Sequence, residues 1–168
     1  YRRGKPIIPE GDTVIEAEDE VFFIAAAEAT PQIMAELRRL DQPVKRVLLA
    51  GGGNIGLRLA QALEGHIHVK IIERDKARAK MLSEQLDRAI VLRGDASDED
   101  LLIEENIEDM DVFCAITNDD EANILSAMLA KRLGARKALS LINRLSYVEL
   151  VEGGVIDIAI SPQQATVS

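Results

Sequence analysis

A doubly wound α/β fold with a six-stranded parallel sheet is predicted by three observations. Strand-like and helix-like stretches alternate regularly from Val44 onward, the pattern of a sheet built from crossover units. Each strand-like run is nearly continuous in aliphatic residues, as in strands covered on both faces. The first of them, Arg46-Val47-Leu48-Leu49-Ala50, runs straight into Gly51-Gly52-Gly53-Asn54-Ile55-Gly56 and then a helical stretch. A glycine turn in that place marks the Rossmann-like arrangement, with an expected strand order of 3-2-1-4-5-6.

Ahead of this pattern, residues 1–27 have a different texture. Turn clusters at Gly4-Lys5, Pro9-Glu10-Gly11-Asp12 and Glu18-Asp19 separate short β-type runs at 7–8, 13–15 and 21–24. They form a short β-rich segment, too small to stand alone. Ile33, Leu37 and Leu40 then recur at helical spacing over 29–40, and Pro43 ends the pattern. Residues 28–43 thus read as a helical linker ahead of a domain at 44–168. Within that domain strands are expected at 46–50, 69–73, 90–92, 112–117, 137–142 and 155–160. Helices are expected at 55–63, 76–86, 98–105 and 122–133, with a short one at 147–151. Ser97-Asp98-Glu99-Asp100 ahead of Leu101-Leu102 resembles a capping box, and Gly134 stands where a glycine closes a helix. Ser161 and Pro162 look like the cap and first position of one more helix. With Tyr1 at the start, that opening predicts a piece of a longer polypeptide.

Composition narrows the classes of function. A length of 168 residues, 47% hydrophobic and 29% charged, suits a soluble domain with a proper core. Aromatics make up 3% and Trp is absent, so that core must be aliphatic. No apolar run approaches the roughly 18 residues of a membrane span, and no leader peptide is expected. A net charge of −9 argues against nucleic acid as a partner and against direct lipid insertion. The single cysteine, Cys114, excludes an internal disulfide and fits a reducing cytoplasm.

The glycines have the spacing G-x-G-x-x-G, and each has a physical task. Gly51 makes the tight turn, Gly53 lets backbone approach a pyrophosphate, and Gly56 lets the helix pack close to the strand. Asn54 and Ile55 begin that helix, whose N–H groups and dipole favour phosphate. Glu73 arrives about 20 residues on, where an acid accepts from the adenosine ribose. A carboxylate there repels a 2′-phosphate, so NAD(H) is expected over NADP(H). Arg74 pulls the other way, since it can accommodate that phosphate or stack on adenine. In this fold ligands sit beyond the carboxyl ends of the strands, which adds Asp95, Ala96, Thr117 and Asn118. Asp95 can accept from the adenine amino group or cap the helix that follows; the sequence leaves both open. Thr117 and Asn118 lie where the nicotinamide-side ribose or a phosphate would pass.

Catalytic chemistry is harder to find. His66 and His68 precede the second strand, away from its carboxyl end, and a metal site there is not expected. Cys114 lies in an apolar strand and reads as a buried, inert thiol. Asp119-Asp120-Glu121 reads as a favourable helix opening rather than a cation site.

Several segments together resemble the RCK, or KTN, nucleotide-binding domain family. They are 51–56, Glu73-Arg74-Asp75, Gly94-Asp95-Ala96-Ser97, the run from Ala115 to Asn123, and Ile160-Ser161-Pro162-Gln163. The likeness covers about residues 44–168, and the segments at 8–15 and 19–24 look like the end of a preceding β-rich subdomain. The resemblance implies a regulatory, non-enzymatic role: binding NAD(H), or ATP or ADP, and gating a membrane potassium transporter subunit. It also implies a homo-oligomer or pairing with a second RCK domain, at the cytoplasmic face of the cell membrane. Carried over by position, Gly51, Gly53 and Gly56 would hold phosphates, Glu73 the ribose, Asp95 the adenine and Thr117 the middle of the dinucleotide. One departure stands out. Leu141 occupies the place where many members have an arginine for the phosphates, with Asn143 and Arg144 just beyond. Two other readings stay open: the cofactor half of an NAD-dependent oxidoreductase, and a dimerisation scaffold without ligand.

Overall fold

The computed structural model describes residues 7, 8, 10, 11, 13–16, 19, 21, 43–151 and 156–162. The chain divides into two compact units, Tyr1–Gln42 and Pro43–Ser168. In the first, hydrogen-bonded turns form at two of the expected places: Thr13 N donates to the Glu10 carbonyl, and Asp19 N to that of Glu16. The turn expected at Gly4-Lys5 lies outside the described residues. The described residues of the expected β runs, 7–8, 13–15 and 21, are not in strands. Runs of two or three residues are too short to hold a ladder without a larger sheet to join. Residues 22–24 and the helix expected at 29–40 lie outside the described residues.

The second unit is an all-parallel sheet with helices on both faces. Its strands are β1 (Arg46–Ala50), β2 (His68–Glu73), β3 (Ile90–Arg93), β4 (Val112–Ala115), β5 (Lys137–Leu141) and β6 (Ile158–Ile160). They lie in the order β3-β2-β1-β4-β5-β6, as the alternation predicted. Register sets Leu49 opposite Ile71 on one side and Cys114 on the other. The intervening helices are α1 (Asn54–Leu63), α2 (Lys76–Gln85), α3 (Glu99–Glu104), α4 (Asp120–Arg132) and α5 (Leu145–Val151).

Central β1 explains the two-layered core. Val47 and Leu49 bury against Ala60 and Leu82 on one face. Leu48 and Ala50 bury with Phe113, Leu102 and Ala127 on the other. Period-two alternation thus feeds two aliphatic cores from one run of apolar residues.

Boundaries differ from expectation where side chains intervene. β4 stops at Ala115, because the chain then bends toward the cleft through Thr117. α4 starts at Asp120, since Asp119 caps it by accepting from Ala122 N at 2.9 Å. The cap of α3 is Asp98, which accepts from Asp100 N and Leu101 N, so Ser97 is not the capping residue. A 3-10 turn at Ile107–Asp109, unforeseen in the sequence, follows Asn106 in the left-handed region at φ 56°. Gly134 closes α4 with φ 109°, as its position suggested. The expected start of β6 at 155 and the helix beyond Pro162 lie outside the described residues.

Candidate functional site

At the carboxyl end of the sheet a cleft of about 820 Å³ opens between the ends of β1 to β5. Its wall includes Gly51, Gly53, Asn54, Ile55, Glu73, Arg74, Asp95, Ala96, Thr117 and Asn118. Of the nucleotide-binding residues expected from the sequence, Gly56 alone is not on that lining.

The glycines differ in what surrounds them. Gly51 has φ 114°, and a Cβ there would meet Thr117 Cγ2 and N at 3.0 Å. Only glycine turns the chain so sharply against the β4 exit. At Gly56 a Cβ would strike the Gly51 carbonyl oxygen, so close packing of the helix on the turn requires glycine here. Gly53 faces open space, with nothing within 4 Å of an added Cβ. It is the N-cap of the ten-residue α1, which has no side-chain cap and no acid in its first turn. The first helical N–H groups have no intrahelical partner, and here they start at an open wall.

Glu73 ties the turn to the end of β2. Its Oε2 accepts from Gly52 N and its Oε1 from Asp75 N, both at 2.8 Å. A carboxylate has about four acceptor positions, which leaves room for a hydroxyl.

Arg78 was missed in the sequence. From the first turn of α2 its Nε donates to the Gly52 carbonyl at 2.6 Å, and Nη2 donates to Asn54 Oδ1 at 3.3 Å. The available signal was a basic residue one turn into the helix that follows the acid.

Asp95 accepts from the Ser97 hydroxyl at 2.6 Å and from Ser97 N at 2.9 Å. The Ser97 hydroxyl, then its N–H, holds the carboxyl below its ordinary value, with Arg74 adding to the effect. Arg74 Nη1 stands 3.8 Å from Asp95 Oδ2. Since Asp98 caps α3, the capping alternative for Asp95 is set aside.

Behind Thr117 lies a buried lock that sequence reading did not identify. Asn123, fully buried, accepts from Thr117 N and Oγ1 through Oδ1. Its Nδ2 donates to the carbonyls of Thr117 and Leu141. It thereby joins the ends of β4 and β5. Next to it Asp120, 5% exposed, accepts from Asn143 N and Nδ2 and from Arg144 N, each at 2.9 Å. Burial pushes its carboxyl up, and the hydrogen bonds from Asn143 and Arg144 outweigh that and hold it low. Leu141 and Asn143 reach the lining. Arg144 is instead engaged with Glu121 and the Tyr147 hydroxyl, each at 2.9 Å.

The ionisable lining consists of Glu73, Asp75, Asp95, Asp119, Arg74 and Arg78. His66 and His68 border a different cavity, of about 410 Å³, among residues from the amino ends of the strands. Among the described residues no group of acids, histidines and cysteine could hold a metal ion. Burial pushes the Cys114 thiol up to about 11, so it is not a nucleophile at neutral pH.

Comparisons with known proteins identify the family and match the fold. Over 167 residues the chain is 63% identical to the Trk system potassium uptake protein TrkA of Halomonas elongata. That match takes in 99% of this chain and 36% of the relative's length. The NAD(P)-binding domain of an exopolyphosphatase-related protein from Archaeoglobus fulgidus superposes with TM-score 0.63 at 17% identity. It covers 74% of this chain and 92% of that one. The GsuK channel bound to NAD gives TM-score 0.62 at 15% identity, over 80% of this chain and 26% of that one. At such identities the likeness is one of fold. The family model of the TrkA-N domain matches residues 47–162, and the chain belongs to the TrkA-N domain family.

Proposed function

We propose that the cleft binds an adenine nucleotide, NAD(H) foremost and ATP or ADP as further candidates, to regulate potassium uptake. The observation that carries the reading is the open wall at Gly53. A missing side chain there faces space, next to an uncapped helix start and between Glu73 and Thr117. A pyrophosphate fits such a backbone cradle, as helix starts favour anions. The ribose then falls to the free acceptor positions of Glu73, and the adenine to the side of Asp95 and Arg74. Support for NAD comes from the GsuK channel bound to NAD, which shares the fold. Support for potassium uptake comes from the names of relatives such as the one in Halomonas elongata. The chain spans about a third of such relatives, so transporter partner, membrane-face location and pairing with like domains are part of the proposal. No helix of the described residues is long and apolar enough to cross a membrane.

An oxidoreductase half is the weaker reading. Among the described residues, no His, Lys, Tyr or Cys is on the cleft's lining to move a proton beside a hydride site.

Titration of the chain with NADH, NAD, ATP and ADP tests the proposal, with Gly53→Val as the control. Nothing in the protein crowds that position, so the variant is expected to keep its fold while its side chain fills the cradle. Loss of binding in a folded variant is the expected result. Equal binding by parent and variant would place the ligand elsewhere.

A further inference from the structure

The cleft takes an anion in the reading above, yet acids outnumber bases on its wall. Glu73, Asp75, Asp95 and Asp119 stand against Arg74 and Arg78. Arg74 has an 85% exposed side chain beside Asp95, toward β3. Arg78 stands half-buried at the glycine turn, between Gly52 and Asn54. Among the cations on the lining it is the one bonded to the residues where phosphate would lie.

Its hydrogen bonds leave it capacity to spare. A guanidinium has five N–H donors. Nε serves the Gly52 carbonyl closely, while Nη2 reaches Asn54 Oδ1 only at 3.3 Å. Nη1 has the Met81 sulfur at 3.9 Å, a weak acceptor. A purely structural staple is not needed here, because Glu73 already fastens Gly52 through its N–H. A planar, permanently charged fork suits phosphate oxygens, to which it bonds in pairs.

The geometry points to Arg78 as the side chain that reads the phosphate charge of the bound nucleotide. Its Nη2 leaves Asn54, and Nη1 the Met81 sulfur, for phosphate oxygens while Nε stays on Gly52. This inference rests on the nucleotide reading of the same cleft. It assigns to Arg78 the discrimination between phosphate-bearing ligands and the bare nucleoside, which touches only the ribose and adenine ends.

The test compares ADP with adenosine. Both are titrated into the parent chain, Arg78→Gln and Arg78→Lys, adenosine by ligand-observed NMR and ADP by calorimetry, at low and high salt. Glutamine keeps a donor for the Gly52 carbonyl and removes the charge; lysine keeps the charge. Arg78→Gln is expected to bind ADP about tenfold more weakly or worse, as for a lost charge-assisted contact. Its adenosine affinity should match the parent's, its ADP affinity should depend less on salt, and Arg78→Lys, which keeps the charge without the fork, should recover only part of the loss. An Arg78→Gln protein that binds ADP like the parent overturns the inference. So does an equal loss for ADP and adenosine, which would make Arg78 a positioning residue for the turn. A parent chain that binds neither ligand overturns the nucleotide reading itself, a result distinct from both.

Discussion

At Gly56 an added Cβ would strike the Gly51 carbonyl oxygen, whereas at Gly53 it would meet nothing. One glycine is required by the protein and the other leaves room for something outside it. Glu73 combines both duties in one side chain, since it holds Gly52 N and Asp75 N and still has acceptor positions free. Its effect on ligand choice is therefore best read as a ratio. NADH and NADPH share a pyrophosphate, so any loosening of the turn weakens both alike. They differ at the 2′ position facing the carboxylate, a hydroxyl that donates to it in NADH and a phosphate that it repels in NADPH. The parent is expected to prefer NADH by about tenfold, about 1.4 kcal/mol, and Glu73→Ala should narrow that ratio toward unity. Competition titrations with the two dinucleotides measure it. Equal affinities in the parent would shift the weight to Arg74.

Between elements, the decisive contacts are polar and buried. Asn123 joins the exits of β4 and β5, and Asp120 pins the segment after β5 through Asn143 and Arg144. These roles were not legible in the sequence, where Asp119-Asp120-Glu121 looked like a plain acidic helix start. Their partners lie up to 24 residues away in the chain, and periodicity carries no record of such pairings. Arg78 escaped notice for the same reason, since its partner Gly52 belongs to another unit of the alternation. What was legible rests on local rules. Aliphatic runs placed the strands, the glycine spacing placed the turn, and the crossover pattern gave the strand order. Asp120 also yields a pH dependence. Burial raises its carboxyl and the hydrogen bonds from Asn143 and Arg144 outweigh that, so the folded value lies below the ordinary 3.8. A depressed folded pKa stabilises the native state above the unfolded value, and that stability is lost as pH falls through the folded one. Asp120→Asn is thus expected to be less stable than the parent near neutrality, by about 1–3 kcal/mol for a broken buried network. The gap should shrink as pH falls below about 4. Urea unfolding of both proteins from pH 7 to pH 3 measures it, and a gap that stays constant would remove the charge from the account.

At the scale of the whole molecule, the nucleotide must act on something beyond its own cleft if it regulates transport. A ligand shifts a conformational equilibrium only through states it binds unequally, and one Rossmann unit has few such states unless it packs on a neighbour. Among the described residues of the second unit, five of the nine exposed large apolar residues lie on α4, α5 and β6, away from β3. Leu125 on α4 is 61% exposed, Leu150 on α5 79%, and Ile158 and Ile160 on β6 are 46% and 41% exposed. The opposite margin exposes Ile90 on β3, which also carries Arg93 at its end, and the helix that follows exposes Ile103. A net charge of −9 works against random clustering of these chains, so association has to come from a specific apolar contact. Pairing of like domains through α4, α5 and β6 is the expected outcome, and Leu150 is the most exposed of its apolar residues. Leu150→Glu should weaken self-association by tenfold or more, on the order of the 1.5–3 kcal/mol gained by burying a leucine. Because Leu150 is absent from the cleft's lining, NADH affinity per chain should change only as far as pairing and binding are coupled. Sedimentation across a wide concentration range, with and without NADH, decides the matter. A parent chain that stays monomeric throughout would take the pairing surface away from this face, and a variant that associates as well as the parent would move it to another.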